Sequence, residues 1–517
     1  MIVHRDPRWF PALFWTFLAL ATAFVVWRTA VVNWTVWYGP AAWLIELFGV
    51  LTSICFMLTL RRAASAAPRT VEEVRETVDI LIPTANEPPL VLEPTVIGAM
   101  RVRGVRDVLV LDDGDRPEVR EMAARHGARY VARTTNEGAK AGNLNNGLRY
   151  TDAEFVVTLD ADHIPLPEFI ERTVGYFDDP RVGFVQSPQS FYNQESFTFR
   201  GDRGWHEQGM FYGGIQPTKN YTNSAIYTGT SAMLRRAAID SAGGFAPDTP
   251  TEDIHTSLRI HARGWKSIYL GESLAYGLEV ENLREYYRTR RRWAAGSLRL
   301  LFRHPDSPLR VRGLTGWQRL NYFSAMVTHL QGPTRVLYLL APLAALITGV
   351  APVTGPYSQY GFAFLAFTVV SVWIVVVFGR GHYHLLHSEA FGVADTVPMI
   401  SALRALIGDD RKFGVTVKRT DRTSSGALKN TYRLYALASL AVLTLAVVRL
   451  VQGEHVAIAA WAGAFIALST GYAATFLISM ERYERAPGEP WYATLTPAEL
   501  YDAVVARSGT RRRLVTA

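Results

Sequence analysis

Six short groupings in this 517-residue chain carry residue types suited to handling a charged substrate. Asp112-Asp113-Gly114 closes the apolar run DVLVLDDG, and Asp160-Ala161-Asp162-His163 closes EFVVTLDADH. Two carboxylates at a strand end can converge on one hard cation, and Mg²⁺ needs only one or two when substrate phosphates complete its shell. A solvated turn favours the same residues, but two such clusters at strand ends of one region are harder to place that way. Between them, NEGAKAGNLNNGL sets Gly, Asn and Lys140 ahead of an apolar helical stretch. That stretch is either an ordinary helix start or a loop that carries Lys140 to a phosphate or ribose. Thr251-Glu252-Asp253 reads first as a helix start, with Thr as cap and two acids complementing the dipole. In TRRRWAAGSLRLL, residues 289–301, Arg and Trp share a helix with Leu298, Leu300 and Leu301. This is the pattern of an interfacial helix with a Trp anchor, which can still present Arg292 and Trp293 to a site beneath a membrane. Last comes KFGVTVK, Lys412 to Lys418, a β-rich segment between two apolar regions.

Positioning these groups requires a sheet. VDILIPTANEP, DVLVLDDG, ARYVART and EFVVTLDADH alternate with helical patterns, which argues for a mostly parallel α/β sheet. Ligands of such sheets bind at the carboxyl ends of the strands, where both acidic clusters lie.

The chain also needs a membrane. About half its residues are apolar and it has 13 Trp and 23 Tyr. Six segments are long enough to span a bilayer: Phe10 to Ala30, Ala41 to Leu60, Phe323 to Val350, Phe362 to Phe378, Tyr432 to Val451 and Val456 to Met480. Arg28, Glu46 and Arg449 lie within them or at their ends, placed to snorkel or pair. The connections Val31 to Pro40, Ala351 to Tyr360 and Gln452 to His455 lack Lys and Arg, whereas Arg61, Arg62, Arg69, the stretch Arg380 to Arg433 and the tail are basic. The positive-inside rule therefore puts both termini, the middle region and KFGVTVK in the cytoplasm of a multi-pass cell-membrane protein. The net charge of +8 fits that membrane-facing surface rather than nucleic acid. The single cysteine, Cys55, excludes a disulfide framework and a Cys-based metal site.

In their order LDDG, KAGNLN, DADH, TED and RRW, with spans on either side, these motifs resemble the processive, membrane-embedded glycosyltransferases of family 2, of the bacterial cellulose synthase type. KFGVTVK is similar to that family's FxVTxK gating loop. The resemblance covers residues 79 to 480. It implies a GT-A-type cytoplasmic α/β domain joined to an α-helical transmembrane bundle, two spans before the domain and four after, with amphipathic interface helices. The expected units are 1–63 (two spans), 64–280 (catalytic domain), 281–318 (interface helices with RRW), 319–380 (two spans), 381–430 (interface helix and gating loop), 431–480 (two spans) and 481–517 (tail).

Roles follow from the same resemblance. Asp112 and Asp113 would hold the uridine part of a UDP-sugar, and Lys140 would lie near the nucleotide. Asp160 would serve nucleotide and metal, with Asp162 the stronger ligand for Mg²⁺ or Mn²⁺. Asp253, with Glu252 beside it, would be the general base. Arg292 would bind the diphosphate and Trp293 would floor the acceptor sugar. Thr230, in IYTGTS, would contact substrate, and Thr416 and Lys418 would touch the donor phosphates. Trp205, Tyr212 and Tyr221 would line a polymer path or serve in packing.

The expected reaction is the transfer of glucose from UDP-glucose to a growing β-glucan, cellulose-like and β-1,4-linked, which is threaded outward. Alternatives are a curdlan, mixed-linkage glucan, chitin or hyaluronan synthase, a non-processive lipid-carrier glycosyltransferase, and a transporter or nucleotide sensor without catalysis. Two departures bear on sugar and linkage: Thr289 stands where the family's QxxRW has Gln, and Thr228 where FFCGS has Cys. The tail after Met480 is shorter than a PilZ domain, so direct cyclic-di-GMP binding is not expected. Separate export or accessory proteins fit a secreted polymer.

Overall fold

The computed structural model describes residues 2–3, 9–200, 205–408, 426–486 and 488–515. KFGVTVK, with Thr416 and Lys418, lies outside the described residues.

A seven-stranded sheet forms the middle of the chain. Its strands are β1 (Val78–Thr84), β2 (Asp107–Asp112), β3 (Arg129–Ala132), β4 (Phe155–Thr158), β5 (Val182–Gln186), β6 (Ala232–Arg235) and β7 (Lys266–Tyr269). The order across the sheet is β7-β5-β6-β4-β1-β2-β3. β1 runs parallel to β2 and β4, and β2 parallel to β3, as alternation predicts. β6 lies antiparallel between β4 and β5. Central parallel strands are covered on both faces and read as unbroken apolar runs, and all seven residues of β1 are buried. Ile80, Ile82, Val108 and Val110 join the core on one face, while Leu81, Leu109 and Leu111 join that on the other. Helices α3 (Pro89–Met100), α4 (Pro117–Arg125) and α5 (Ala139–Gly147) follow the first three strands, and α6 (Glu252–Ala262) precedes β7.

Among the described residues, six helices are long and apolar enough to cross a membrane. Two precede the sheet, α1 (Phe10–Ala30) and α2 (Tyr38–Leu60). After α7 (Leu283–Phe302) come α8 (Gly316–Thr348) and α9 (Ser358–Phe378). Two short helices, α10 (Leu385–Ala394) and α11 (Thr396–Ala402), lead to α12 (Gly426–Val451) and α13 (Val456–Glu484). α8 begins several residues before the expected Phe323, because the Thr315–Gln318 capping box starts it earlier. The three ionisable residues flagged in the spans all pair. Arg28 Nε donates to Glu46 Oε2 at 2.8 Å, both side chains buried, and Tyr360 Oη donates to Glu46 Oε1 at 2.9 Å. Arg449 pairs with Glu454 just beyond its helix.

The tail returns to the sheet domain. In α14 (Pro497–Val515), Asp502 accepts from Arg101 at 3.0 Å, and the Arg101 guanidinium lies 4.5 Å from the Tyr501 ring centre.

Candidate active site

A cavity of ≈ 580 Å³ lies at the carboxyl ends of β1 and β4, and its wall extends to α6, α7 and the start of α8. Three acidic groups and the RRW motif, far apart in sequence, meet on its surface.

The first acidic pair splits. Asp113 lines the cavity. Arg133 grips it through Nε and, at 2.8 Å, Nη2, and donates on to the carbonyls of Glu137 and Ala139, so the loop before α5 is tied to β2. Burial raises the Asp113 pKa, opposed by Arg133. Asp112 is fully buried and is not part of the lining. Its carboxylate accepts from Arg116 Nη2 at 2.9 Å, the Arg116 amide at 2.7 Å and Tyr130 Oη at 2.9 Å. Successive residues of a strand face opposite ways, so one acid of the pair meets the cavity and the other anchors the turn.

Lys140 reaches the cavity but is engaged by protein. It contacts Asp160, donates to the Gly229 carbonyl at 2.9 Å and lies 3.7 Å from Glu252. Burial pulls its pKa down, but the Asp160 and Glu252 carboxylates outweigh this and hold it above its usual value. It therefore stays charged and braces two acidic motifs against each other. Gly229 has φ +82°, and a Cβ there would sit 3.0 Å from Lys140 Nζ and 3.4 Å from Asp253 Oδ2. Only a residue without a side chain fits that gap comfortably.

In DADH, the Asp160 amide donates to Thr230 Oγ1 at 2.9 Å. Thr230 is fully buried and lies outside the lining, so it supports Asp160 where substrate contact was expected. Asp162 is buried; its Oδ2 accepts from the Leu278 amide at 3.1 Å and its Oδ1 lies 3.4 Å from His163 Nδ1. His163 Nε2 is buried without a hydrogen-bond partner among the described residues. One ligand atom each from Asp160, Asp162 and His163 lie within 4.8 Å of one another. Two carboxylates and an imidazole suit Mn²⁺ well, and Mg²⁺ through the carboxylates.

The TED helix departs from its expected cap. Thr251 makes no capping bond, and its Oγ1 is buried without a partner among the described residues. The reason is α7: a Cβ on Gly296 would lie 2.6 Å from Thr251 Oγ1 and 2.9 Å from its amide nitrogen, so the helices approach through a glycine. Glu252 and Asp253 line the cavity. Burial and then the Glu252 charge push the Asp253 pKa up to about 7, against Lys140 and Arg292.

Arg292 and Trp293 line the cavity from α7, and Arg292 Nε is buried without a partner among the described residues. Ala294 and Ala295 of the same helix pack on Met399 and Ala402 of α11. Arg290, which the sequence reading passed over, packs its guanidinium 4.5 Å from the Trp293 ring centre, pairs with Glu207 and lies 3.7 Å from Asp395. These long-range partners had no local signal. Tyr212 lines the cavity. Trp205 instead packs against His384, ring centres 5.5 Å apart, and the exposed Tyr221 lies beneath Arg62. The cavity thus has an acidic end that can hold a cation and phosphates, and an aromatic, arginine-flanked end that can hold a sugar. Asp253 stands in the same wall.

Residues 79–243 match Glycosyl transferase family 2 and residues 244–463 match Cellulose synthase. Cellulose synthase 1 of Komagataeibacter xylinus is 41% identical over 298 residues, which span 56% of this chain and 19% of that protein. A UDP-forming cellulose synthase 1 catalytic subunit of the same organism is 33% identical over 413 residues, 76% of this chain and 55% of that one. The catalytic subunit of Pseudomonas fluorescens is 37% identical over 290 residues, 54% and 39% of the two chains. The chain therefore matches little more than half the length of these relatives at most. A mannosyltransferase from Pyrobaculum calidifontis, solved with GDP-Man and Mn²⁺, has the same fold, with a TM-score of 0.51 and 19% identity over 76% of this chain and 99% of that one.

Proposed function

Because the chain belongs to the family 2 glycosyltransferases, of the cellulose synthase type, we propose that it is a processive inverting enzyme. It polymerises glucose from UDP-glucose into a β-1,4-linked glucan and carries the product across the membrane. The observation that carries this reading is one cavity in which DADH, TED and RRW converge, with a wall that continues through Thr328 and Gln331 into the membrane helix α8.

Asp160, Asp162 and His163 would hold Mg²⁺ or Mn²⁺, which neutralises charge on the departing diphosphate. Arg292 adds a cation on the opposite wall for the same charge. Asp253 takes the proton of the acceptor hydroxyl as that oxygen attacks the anomeric carbon; a pKa near the working pH suits a general base. A single displacement inverts the α-linked donor to a β-linked product. Trp293 offers a ring face to the acceptor sugar. Asp113 sits where the nucleotide end would lie. By the family resemblance, Thr416 and Lys418, which lie outside the described residues, would supply a hydroxyl and a cation to the donor phosphates. The positive-inside pattern supports a cytoplasmic catalytic domain and termini, hence outward passage of the polymer.

The test offers purified protein each UDP-sugar in turn with Mg²⁺ or Mn²⁺ and digests the product with linkage-specific glycanases. A long product from UDP-glucose that only a β-1,4-glucanase degrades is expected. A different sugar or linkage would reassign the product, a single-sugar lipid product would remove processivity, and absence of UDP release would remove catalysis.

A further inference from the structure

Behind the cavity wall, α6 carries a second polar cluster. His255, two residues beyond Asp253, is fully buried. Its Nε2 lies 2.9 Å from Asp306 Oδ2 and its Nδ1 3.3 Å from Thr249 Oγ1. Arg259, one turn further along α6, donates through Nε to the same Asp306 oxygen at 2.7 Å and through Nη2 to Asp248 at 2.7 Å. Asp306 follows the end of α7. Thr249 lines the cavity and donates to the Thr251 carbonyl at 3.3 Å. One carboxylate after α7 thus holds α6 by two side chains, and those side chains hold the segment that leads into Glu252 and Asp253.

The pattern has a physical logic. Burial lowers the His255 pKa, so the ring is neutral; Nε2–H donates to Asp306, and Nδ1 faces the Thr249 hydroxyl, whose single proton is shared between Nδ1 and the Thr251 carbonyl. The hydrogen bond from His255 keeps Asp306 ionised, despite its partial burial, and Arg259 assists. The His304 ring packs edge-on, centres 4.6 Å apart. Asp248, His255 and His304 have ligand atoms within 4.8 Å of one another, a spacing that also suits a cation. Arg259 already places its own cation between Asp248 and Asp306, which leaves one net negative charge in the cluster.

We propose that Asp306 is a positioning residue for glycosyl transfer. Through His255 and Arg259 it sets α6 against α7, and so sets Asp253 relative to Arg292 and Trp293. It touches neither donor nor acceptor; it fixes where the base stands with respect to the acceptor hydroxyl. The proposal rests on the reading of Asp253 as base.

The distinguishing readout is the ratio of glucose incorporated to UDP released. A displaced base loses the acceptor hydroxyl, while water, small and mobile, still consumes donor. A merely unfolded fraction lowers both quantities together and leaves the ratio unchanged. In Asp306→Asn, incorporation should fall by about 10²-fold, the scale of a misplacement near 1 Å. The KM for UDP-glucose should stay within about twofold, the ratio should shift towards hydrolysis, and Asp306→Glu should restore part of it. Should Asp306→Asn not fold, Arg259→Lys keeps the charge, loses the fork and carries the same test. A wild-type ratio in whichever variant folds overturns the proposal. So does stoichiometric zinc in the purified wild type that Asp306→Asn lacks, since a metal would then be the clamp. Asp253→Asn separates the two readings. Normal turnover there removes the base itself; lost turnover beside unaffected Asp306 and Arg259 variants removes only the positioning role.

Discussion

Glu252→Gln removes one of the two causes that lift the Asp253 carboxyl to about 7, leaving burial as the larger one. A general base works as the carboxylate, so transfer by the wild type should rise with pH through that midpoint. At one unit below it about a tenth of the sites are ionised, and at one unit above about nine-tenths, so the rate should differ about tenfold between those points. With Gln at 252, Lys140 loses the carboxylate 3.7 Å away and keeps Asp160. Less negative charge then faces Asp253, and its pKa falls. A fall of one unit, about 1.4 kcal/mol, would leave half the sites ionised one unit below the original midpoint. The tenfold difference would shrink to about twofold. The assay is UDP release and glucose incorporation at saturating donor and metal from about pH 5.5 to 8.5, with donor binding measured at each end. A flat wild-type profile, or one that the variant superimposes on, would refute the assignment of the titrating group to Asp253.

Four further outcomes follow from the site. Asp253→Asn should retain UDP binding and lose transfer by about 10²–10⁴-fold; near-normal turnover would show that another group takes the proton. Asp162→Ala should abolish metal-dependent UDP binding, and His163→Gln should weaken it, because each removes one of few ligands; an unchanged metal titration in both would move the cation elsewhere. Gly296→Val should force α7 off Thr251, destabilising by about 1–3 kcal/mol, which thermal unfolding in detergent reads directly; an unaltered midpoint would mean the helices separate freely. Lys418→Ala should sharply reduce polymer synthesis, with Lys412→Ala near wild type. Full Lys418→Ala activity would leave KFGVTVK a connector.

Much of this was legible in the sequence because its signals are local. β1, β2 and β4 announce themselves as unbroken apolar runs ending on polar residues, and the six spans as long apolar stretches with few charges. The convergence of DADH, TED and RRW was legible only through their order and resemblance. What sequence hides is the direction and partner of each side chain. Asp112 and Asp113 are indistinguishable in LDDG, yet Arg116 and Tyr130 claim the first and the cavity takes the second. Lys140 was expected to approach the nucleotide; the Asp160 and Glu252 charges that engage it come from segments folded in from either side. Thr251 has the composition of a cap, but the approach of Gly296, 45 positions later, decides its geometry. Arg290, Glu207 and Asp395 form a group across nearly 190 positions, beyond any short-range pattern.

The contact of Arg28, Glu46 and Tyr360 has a bearing on how the chain is built into its bilayer. A single charge at the centre of an inserting helix costs about 2.5–3.5 kcal/mol at the translocon, a figure that applies to Glu46, inside α2, more fully than to Arg28, in the last turn of α1. Arg28 and Glu46 lie 18 positions apart on consecutive helices and bond to each other at 2.8 Å. Leaving the translocon as a hairpin, the two helices shield both charges; leaving singly, each would carry its own penalty into lipid. Tyr360 is 314 positions from Glu46 and is synthesised only after the whole sheet domain. The contact thus joins parts made at different times: the Arg28–Glu46 pair can close once the first two spans exist, whereas Tyr360, made after the sheet domain, adds the hydroxyl that ties a later span to that hairpin.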